Sequence, residues 1–306
     1  MDRPAHPEVR CGRRRMLRGL LAFGAAGAAL LPALAGRGPA ARAAKAPAPP
    51  VPPPPPGAPP TKSDAKAVTV SPQDPAITAA AVEYPGFVVG TMQGYLAAPS
   101  GGEIYPGVIV LHDAIGLTEH IRDVARRFAR VGYVALAPDL LSRLGGTAKV
   151  GDQTHIITAL EDTSSQDYAN ALNATVRYLE TRPQVAKSKI GVIGFGLGAN
   201  LSWLLLNINA DVKAAVLFDS QVPDPSVAPQ IHVPVLSICG EDDKQANDGL
   251  KAFDDAMKKA GAAWSSKVEP KASHGFFDDA RTTFVPDAAK DAWQLTLAWF
   301  QKYLGS

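Results

Sequence analysis

Ile190-Gly191-Val192-Ile193-Gly194-Phe195-Gly196-Leu197-Gly198-Ala199-Asn200 decides how the rest of the chain is read. Ile190 to Ile193 is an apolar run of strand length, the glycines after it make a tight turn, and a helix is predicted from Leu197 to about Asn207. Strand, Gly-x-nucleophile-x-Gly turn and helix together form a nucleophile elbow, which lifts one side chain clear of the strand end. Gly194 and Gly198 stand at the outer positions. The central position calls for Ser, Cys or Asp, and Gly196 stands there instead. The turn is made to present an attacking atom that this chain does not carry.

Working outward, Gly107 to Leu111, Val134 to Ala137, Ala214 to Phe218 and Val235 to Cys239 are further apolar runs, with a last strand near Lys267 to Glu269. Between them lie amphipathic segments: His120 to Val131, Tyr168 to Leu179, Ala246 to Ala260 and Ala288 to Leu304. Phe87 to Gly90 and Met92 to Ala97 read as an opening antiparallel hairpin. Near-continuous apolar strands alternating with amphipathic helices predict a mostly parallel sheet covered on both faces. The elbow makes that α/β sandwich a single α/β-hydrolase domain, expected over residues 68–306.

The start of the chain is different in kind. Residues 1–43 hold eight Arg against Asp2 and Glu8, so the rest is mildly acidic although the whole chain is formally +2. With no basic stripe outside that segment, nucleic acid is excluded as a partner. Arg13-Arg14-Arg15-Met16-Leu17-Arg18 fits the twin-arginine pattern and precedes an Ala/Gly-rich apolar run from Gly19 to Ala35. Cleavage is expected after Ala35 or Ala43, with export through the twin-arginine machinery to the periplasm or another extracytoplasmic site. The run is short for a membrane span and broken by Pro32, which argues against an uncleaved anchor. Residues 44–67 read as a Pro-rich spacer, with five consecutive prolines from Pro52. Cys11 leaves with the signal, and Cys239, at the end of an apolar strand, reads as a packing residue.

In this fold the triad runs nucleophile, acid, histidine. Downstream of Gly196, Glu241-Asp242-Asp243 follows a strand end, where the acid belongs; Asp243 is the first candidate and Asp242 the second. His274, in Ser273-His274-Gly275-Phe276, lies between the last strand and the last helix. Asp243 would hold the imidazole tautomer and His274 would accept a proton. The loop after the first parallel strand, His112-Asp113-Ala114, places Ala114 as one backbone donor of an oxyanion hole and Leu197 as the other. Backbone donors survive the loss of a side chain, so a carbonyl-binding hole is expected to persist. His112, Asp113, Glu119 and His120 match no metal-ligand spacing, and no metal is expected.

Val108-Ile109-Val110-Leu111-His112-Asp113, the segment His120 to Arg127, Ala137-Pro138-Asp139-Leu140-Leu141-Ser142-Arg143, Gly194 to Gly198 and His274-Gly275-Phe276 together resemble the dienelactone hydrolase family. The resemblance covers about residues 84–304 and extends through Phe277-Asp278-Asp279 to a twin-arginine-exported branch. It implies opening of lactones and other esters by a Cys-His-Asp triad, with Cys at the Gly196 position and no metal or other cofactor. It also implies a Glu at the Asp113 position that interacts with the thiol, and a substrate-carboxylate contact for Arg143, so Asp113 and Arg143 are expected as the substrate-binding side chains. This chain departs at two positions: Asp113 is one methylene short, and Gly196 has no thiol for it to serve.

Three functions follow. The first is a lactone or carboxylic-ester hydrolase with turnover weak or absent for want of the nucleophile. The second is a pseudoenzyme that binds a small carbonyl or carboxylate ligand. The third is hydrolysis by a substitute nucleophile, for which Ser202 faces its own helix and Ser273 is poorly placed to use the adjacent imidazole.

Overall fold

Val108, Ile109, Val110 and Leu111 are consecutive and all fully buried, as a strand must be when helices cover both faces of its sheet. Alternate side chains go to opposite sides. Val108 and Val110 join one core with Val124, Phe128 and Phe300. Ile109 and Leu111 join the other with Leu172, Val176, Leu201 and Phe253.

The structure, a computed structural model, describes residues 69–86, 88 and 90–305; the signal expected over 1–43, the spacer expected over 44–67 and the boundary at residue 68 all lie outside the described residues. The main elements are β1 (Ile77–Pro85), β2 (Thr91–Pro99), β3 (Tyr105–Leu111), α1 (Glu119–Arg130), β4 (Val134–Asp139), α2 (Gln153–Glu161), α3 (Ser165–Glu180) and β5 (Val185–Phe195). They continue with α4 (Leu197–Ile208), β6 (Val212–Phe218), β7 (Val235–Gly240), α5 (Leu250–Ala260), β8 (Trp264–Glu269) and α6 (Pro286–Leu304). One eight-stranded sheet runs in the order β1-β2-β4-β3-β5-β6-β7-β8. β1 and β2 pair antiparallel, as do β2 and β4; every pairing from β4–β3 through to β7–β8 is parallel. Helices α1 and α6 close one face and α2 to α5 the other.

The first arm of the opening hairpin is Ile77–Pro85; of the arm expected over Phe87 to Gly90, Phe87 and Val89 lie outside the described residues, and Val88 and Gly90 are not in a strand. Its β-branched residues Ile77, Thr78 and Val82 are separated by the run Ala79-Ala80-Ala81, and the strand is held at the sheet edge by its register with β2. The helix expected over Ala246 to Ala260 is two pieces, a single turn at Lys244–Asn247 and then α5. Gly249 stands between them in the left-handed region at φ 76°. Parallel strands deliver their C-terminal loops to one edge. The loops after β3, β5, β6 and β7 therefore meet there, bringing Asp113, Gly196, Asp219 and Asp243 within reach of His274.

Candidate active site

The elbow is formed as the sequence predicts. Gly196 has φ 50° and ψ −109° between β5 and α4, a conformation that costs a non-Gly residue about 1–3 kcal/mol and glycine far less. Gly194 and Gly198 are required by close approach instead. A Cβ on Gly194 would strike the Gly198 carbonyl, and one on Gly198 would strike the Leu111 and His112 carbonyls. This packing sets the start of α4 directly against the loop after β3. It leaves Leu197 N–H, one of the orphan donors of a helix N-terminus, aimed into the site.

What meets that donor is Asp113. Its Oδ1 accepts from Ala114 N–H at 2.7 Å and from Leu197 N–H at 3.1 Å. Its Oδ2 accepts from Arg281 Nη2 at 2.7 Å and stands 3.8 Å from His274 Nε2. A Cβ built on Gly196 would fall inside the Asp113 carboxylate. The two backbone donors expected to hold a substrate oxyanion are therefore present, convergent and occupied. Asp113 is expected from sequence as a substrate-binding residue; in the structure its carboxylate stands in the space above the bare turn. Burial would raise its pKa, but the His274 and Arg281 cations and the Ala114 N–H outweigh that and hold it well below the usual carboxylate range. His112 anchors the loop. Its Nδ1 donates to the Asp113 carbonyl at 2.7 Å while Nε2 accepts from Leu140 N–H at 3.1 Å. Full burial pushes its pKa down and keeps it neutral.

On the other side of His274, Nδ1 donates to Asp243 Oδ2 at 2.7 Å. Asp243 Oδ1 is fixed by the N–H groups of Gln245 and Ala246, each at 3.1 Å, because Asp243 is the N-cap of the single turn Lys244–Asn247. Asp242, the second candidate for the acid, is exposed, and the His274 contact is made by Asp243. Flanked by two carboxylates, His274 is raised to about 10, with Asp113 the larger cause and Asp243 the next, against the opposing effect of burial. The two carboxylates thus favour the imidazolium, the form that donates a proton rather than accepts one.

Asp219, at the end of β6, is absent from the sequence reading. It adopts φ 52°, a left-handed conformation for a non-glycine residue. Its Oδ2 accepts from Gly275 N–H at 2.8 Å, which ties down the loop carrying His274. Burial raises it to about 6. The available signal was positional: a polar pair, Asp219-Ser220, ends an apolar parallel strand at the same sheet edge as the elbow.

Two cavities meet over Gly196, and Asp113, Asp219 and His274 line both. One, of about 20 Å³ beside Arg281 and Phe277, has room for a single water. The other, of about 110 Å³, extends past Ala114, Leu197 and Asn200 to Ile157, Leu160 and Gln221. Arg143 lines neither. It is exposed, and its guanidinium reaches Thr163 Oγ1 at 3.4 Å. The cation that enters the site is Arg281, seven residues beyond His274 in the same loop. Ser202 is buried and donates to the Gly198 carbonyl at 2.9 Å. Cys239 is buried, with its thiol pushed up to about 12 by desolvation, so it is a packing residue and no nucleophile. Among the described residues two groups of ligand-type side chains lie close enough to share an ion: His120 with Asp278 and Asp279, and Asp219 with Asp243 and His274. Both sets of carboxylates already bind protein donors, and His112 and Glu119 belong to neither group.

Residues 92–304 match the dienelactone hydrolase family. A Synechocystis protein named carboxymethylenebutenolidase is 32% identical over 69% of this chain and 92% of its own. Protein usf of Aquifex pyrophilus is 33% identical over 70% of this chain and 94% of its own. A Klebsiella pneumoniae structure named dienelactone hydrolase superposes with TM-score 0.68 at 29% identity, covering 74% of this chain and 100% of that one. A dienelactone hydrolase-like promiscuous phosphotriesterase from metagenomic libraries gives TM-score 0.65 at 25% identity, covering 74% and 99%. The match runs from the second strand to the end of the last helix and takes in the elbow, the acid loop and the histidine loop, so the chain belongs to the dienelactone hydrolase family, a family of hydrolases.

Proposed function

We propose that this protein is an exported member of its family whose elbow binds a small carbonyl or carboxylate ligand and opens esters or lactones weakly or not at all. One observation carries the reading: Asp113 Oδ1 takes both backbone donors that an ester's oxyanion needs, directly over an elbow with no side chain. Loss of the covalent route leaves at best roughly 10³–10⁴ over the uncatalysed rate, from binding and the oxyanion hole alone. Here that remainder is cut further, because the hole is filled and His274 is protonated. The cavity of about 110 Å³ beside Asn200 and Gln221 admits a few heavy atoms, and Arg281 with the imidazolium supplies positive charge for an anionic ligand. Binding at Arg143 is not part of the reading, since that residue lies away from the cavities. Export rests on Arg13-Arg14 and the apolar run after them.

The test uses the mature protein with p-nitrophenyl acetate and, separately, thermal denaturation with acetate and maleate. The expected outcome is no acyl burst, a rate little above buffer, and a higher melting temperature with one or both carboxylates that is lost in Arg281→Ala. A burst with steady turnover that His274→Gln abolishes would sink the reading. Cell fractionation of Arg13→Lys/Arg14→Lys should leave the protein in the cytoplasm; an unchanged distribution would remove the export half.

A further inference from the structure

The filled oxyanion hole obstructs one reaction and suits another. An ester substrate needs both backbone donors for its own carbonyl oxygen, and here they are taken. A substrate attacked at an sp³ carbon develops no oxyanion, so it has no need of them in the first step. What that step needs is a nucleophilic oxygen, held in place and facing the cavity. Asp113 has such an oxygen. Oδ1 is pinned by Ala114 and Leu197, and Oδ2 is turned toward His274 and Arg281 where the two cavities join. The carboxylate stands where an elbow side chain would, delivered by the neighbouring loop.

We propose that Asp113 is a nucleophile transplanted from the elbow to the loop after β3, and that it displaces halide from a small haloalkanoate. This goes beyond the ester reading and needs no side chain at residue 196. The substrate carboxylate pairs with Arg281 and draws it off Oδ2. Oδ2 then attacks the halogen-bearing carbon: a C–O bond forms, the C–halogen bond breaks, and halide leaves with the bonding pair toward the cationic side of the site. The product of this step is an alkyl ester of Asp113.

The second step uses the rest of the arrangement. Esterification removes the negative charge that is the main reason His274 is so basic, so the imidazole loses its proton to solvent and becomes a base, its tautomer still set by Asp243. Water gives a proton to Nε2 and attacks Cγ of Asp113. The tetrahedral oxyanion forms on Oδ1, which already sits between Ala114 and Leu197 N–H, where it is best stabilised. Collapse expels the alkoxide, which takes the proton from His274; the Asp113 carboxylic acid left behind passes the remaining water proton to the neutral imidazole, which restores both the carboxylate and the imidazolium. The balance is haloalkanoate plus water to hydroxyalkanoate, halide and one proton, with no other reactant.

The experiment incubates the purified full-length protein with chloroacetate and follows chloride release and intact mass. The wild type should release chloride above the buffer control and Asp113→Ala should lose at least about 10²-fold of that rate, the usual scale for removing a covalent nucleophile. His274→Gln should release one chloride per protein and hold a carboxymethyl group on the peptide bearing Asp113. In heavy-oxygen water a single turnover of wild type should place the label in Asp113, a readout independent of whether the variants fold. Failure of chloride release in the wild type together with no adduct on Asp113 in His274→Gln overturns the proposal, as does an adduct confined to cysteine. Silence toward p-nitrophenyl acetate bears only on the ester reading, so the two can fail separately.

Discussion

Asp243 and Asp113 flank the same imidazole, and the contrast between them explains the site. Each has one oxygen fixed by two backbone N–H groups and the other turned toward His274. For Asp243 the donors belong to the helical turn that it caps, so the carboxylate is bound by its own neighbours and serves to orient Nδ1. For Asp113 one donor is the next residue and the other is Leu197, far away in sequence at the start of α4. Fixing Asp113 therefore fills the pocket that defines a hydrolase of this fold. The same residue type with the same donor count orients the histidine on one side and occupies an ester's oxyanion position on the other.

The largest expected effect separates these two roles. Gly196→Cys alone places its Cβ in the Asp113 carboxylate, so it should gain little esterase activity. Gly196→Cys/Asp113→Ala supplies the thiol and empties the hole, and should exceed the single variant by about 10²–10³-fold on p-nitrophenyl acetate, the scale of oxyanion stabilisation. Equal rates for the two variants would mean that Asp113 does not obstruct the hole.

A smaller effect ranks the carboxylates. The His274 pKa of about 10 should fall toward the ordinary 6.5 in Asp113→Ala, and by less in Asp243→Ala, because Asp113 is the larger cause. Imidazole carbon-bound proton shifts followed against pH would measure both, and the reverse order would break the comparison. The sign for stability follows. A folded-state pKa raised from 6.5 means the ion pairing stabilises fully below about pH 6.5 and is lost as pH rises through about 10. The melting temperature of the wild type should decline across that window more steeply than that of Asp113→Ala.

The smallest effect concerns the residue that supports the pair. Asp219 is raised to about 6, so its contribution favours the fold below pH 3.8 and is lost as pH rises through about 6. Asp219→Asn tolerates the positive φ and can still accept from Gly275 N–H. It should gain about 1 kcal/mol at neutral pH and flatten the stability profile between pH 4 and 6. A loss at neutral pH would show that the charge itself holds the histidine loop.

Sequence alone determined much of this protein. The strand-turn-helix at Ile190 to Asn207, the alternation of apolar strands with amphipathic helices, and the order Gly196, Asp243, His274 are local patterns, and local patterns carry a parallel sheet and its functional edge. The first strand was hard to read because Ala79-Ala80-Ala81 interrupts its β-branched residues Ile77, Thr78 and Val82, and its place at the sheet edge is set by pairing with β2. Only the tertiary structure decided what stands over the elbow. Asp113 and Arg281 come from two loops and Leu197 from the first turn of α4, and nothing in their spacing tells that a carboxylate one methylene shorter than Glu reaches the backbone donors. Nor does the spacing reveal that Arg281 enters the site while Arg143 stays outside. Those outcomes depend on angstrom-scale distances between chain segments that meet only when the sheet brings its strand ends together.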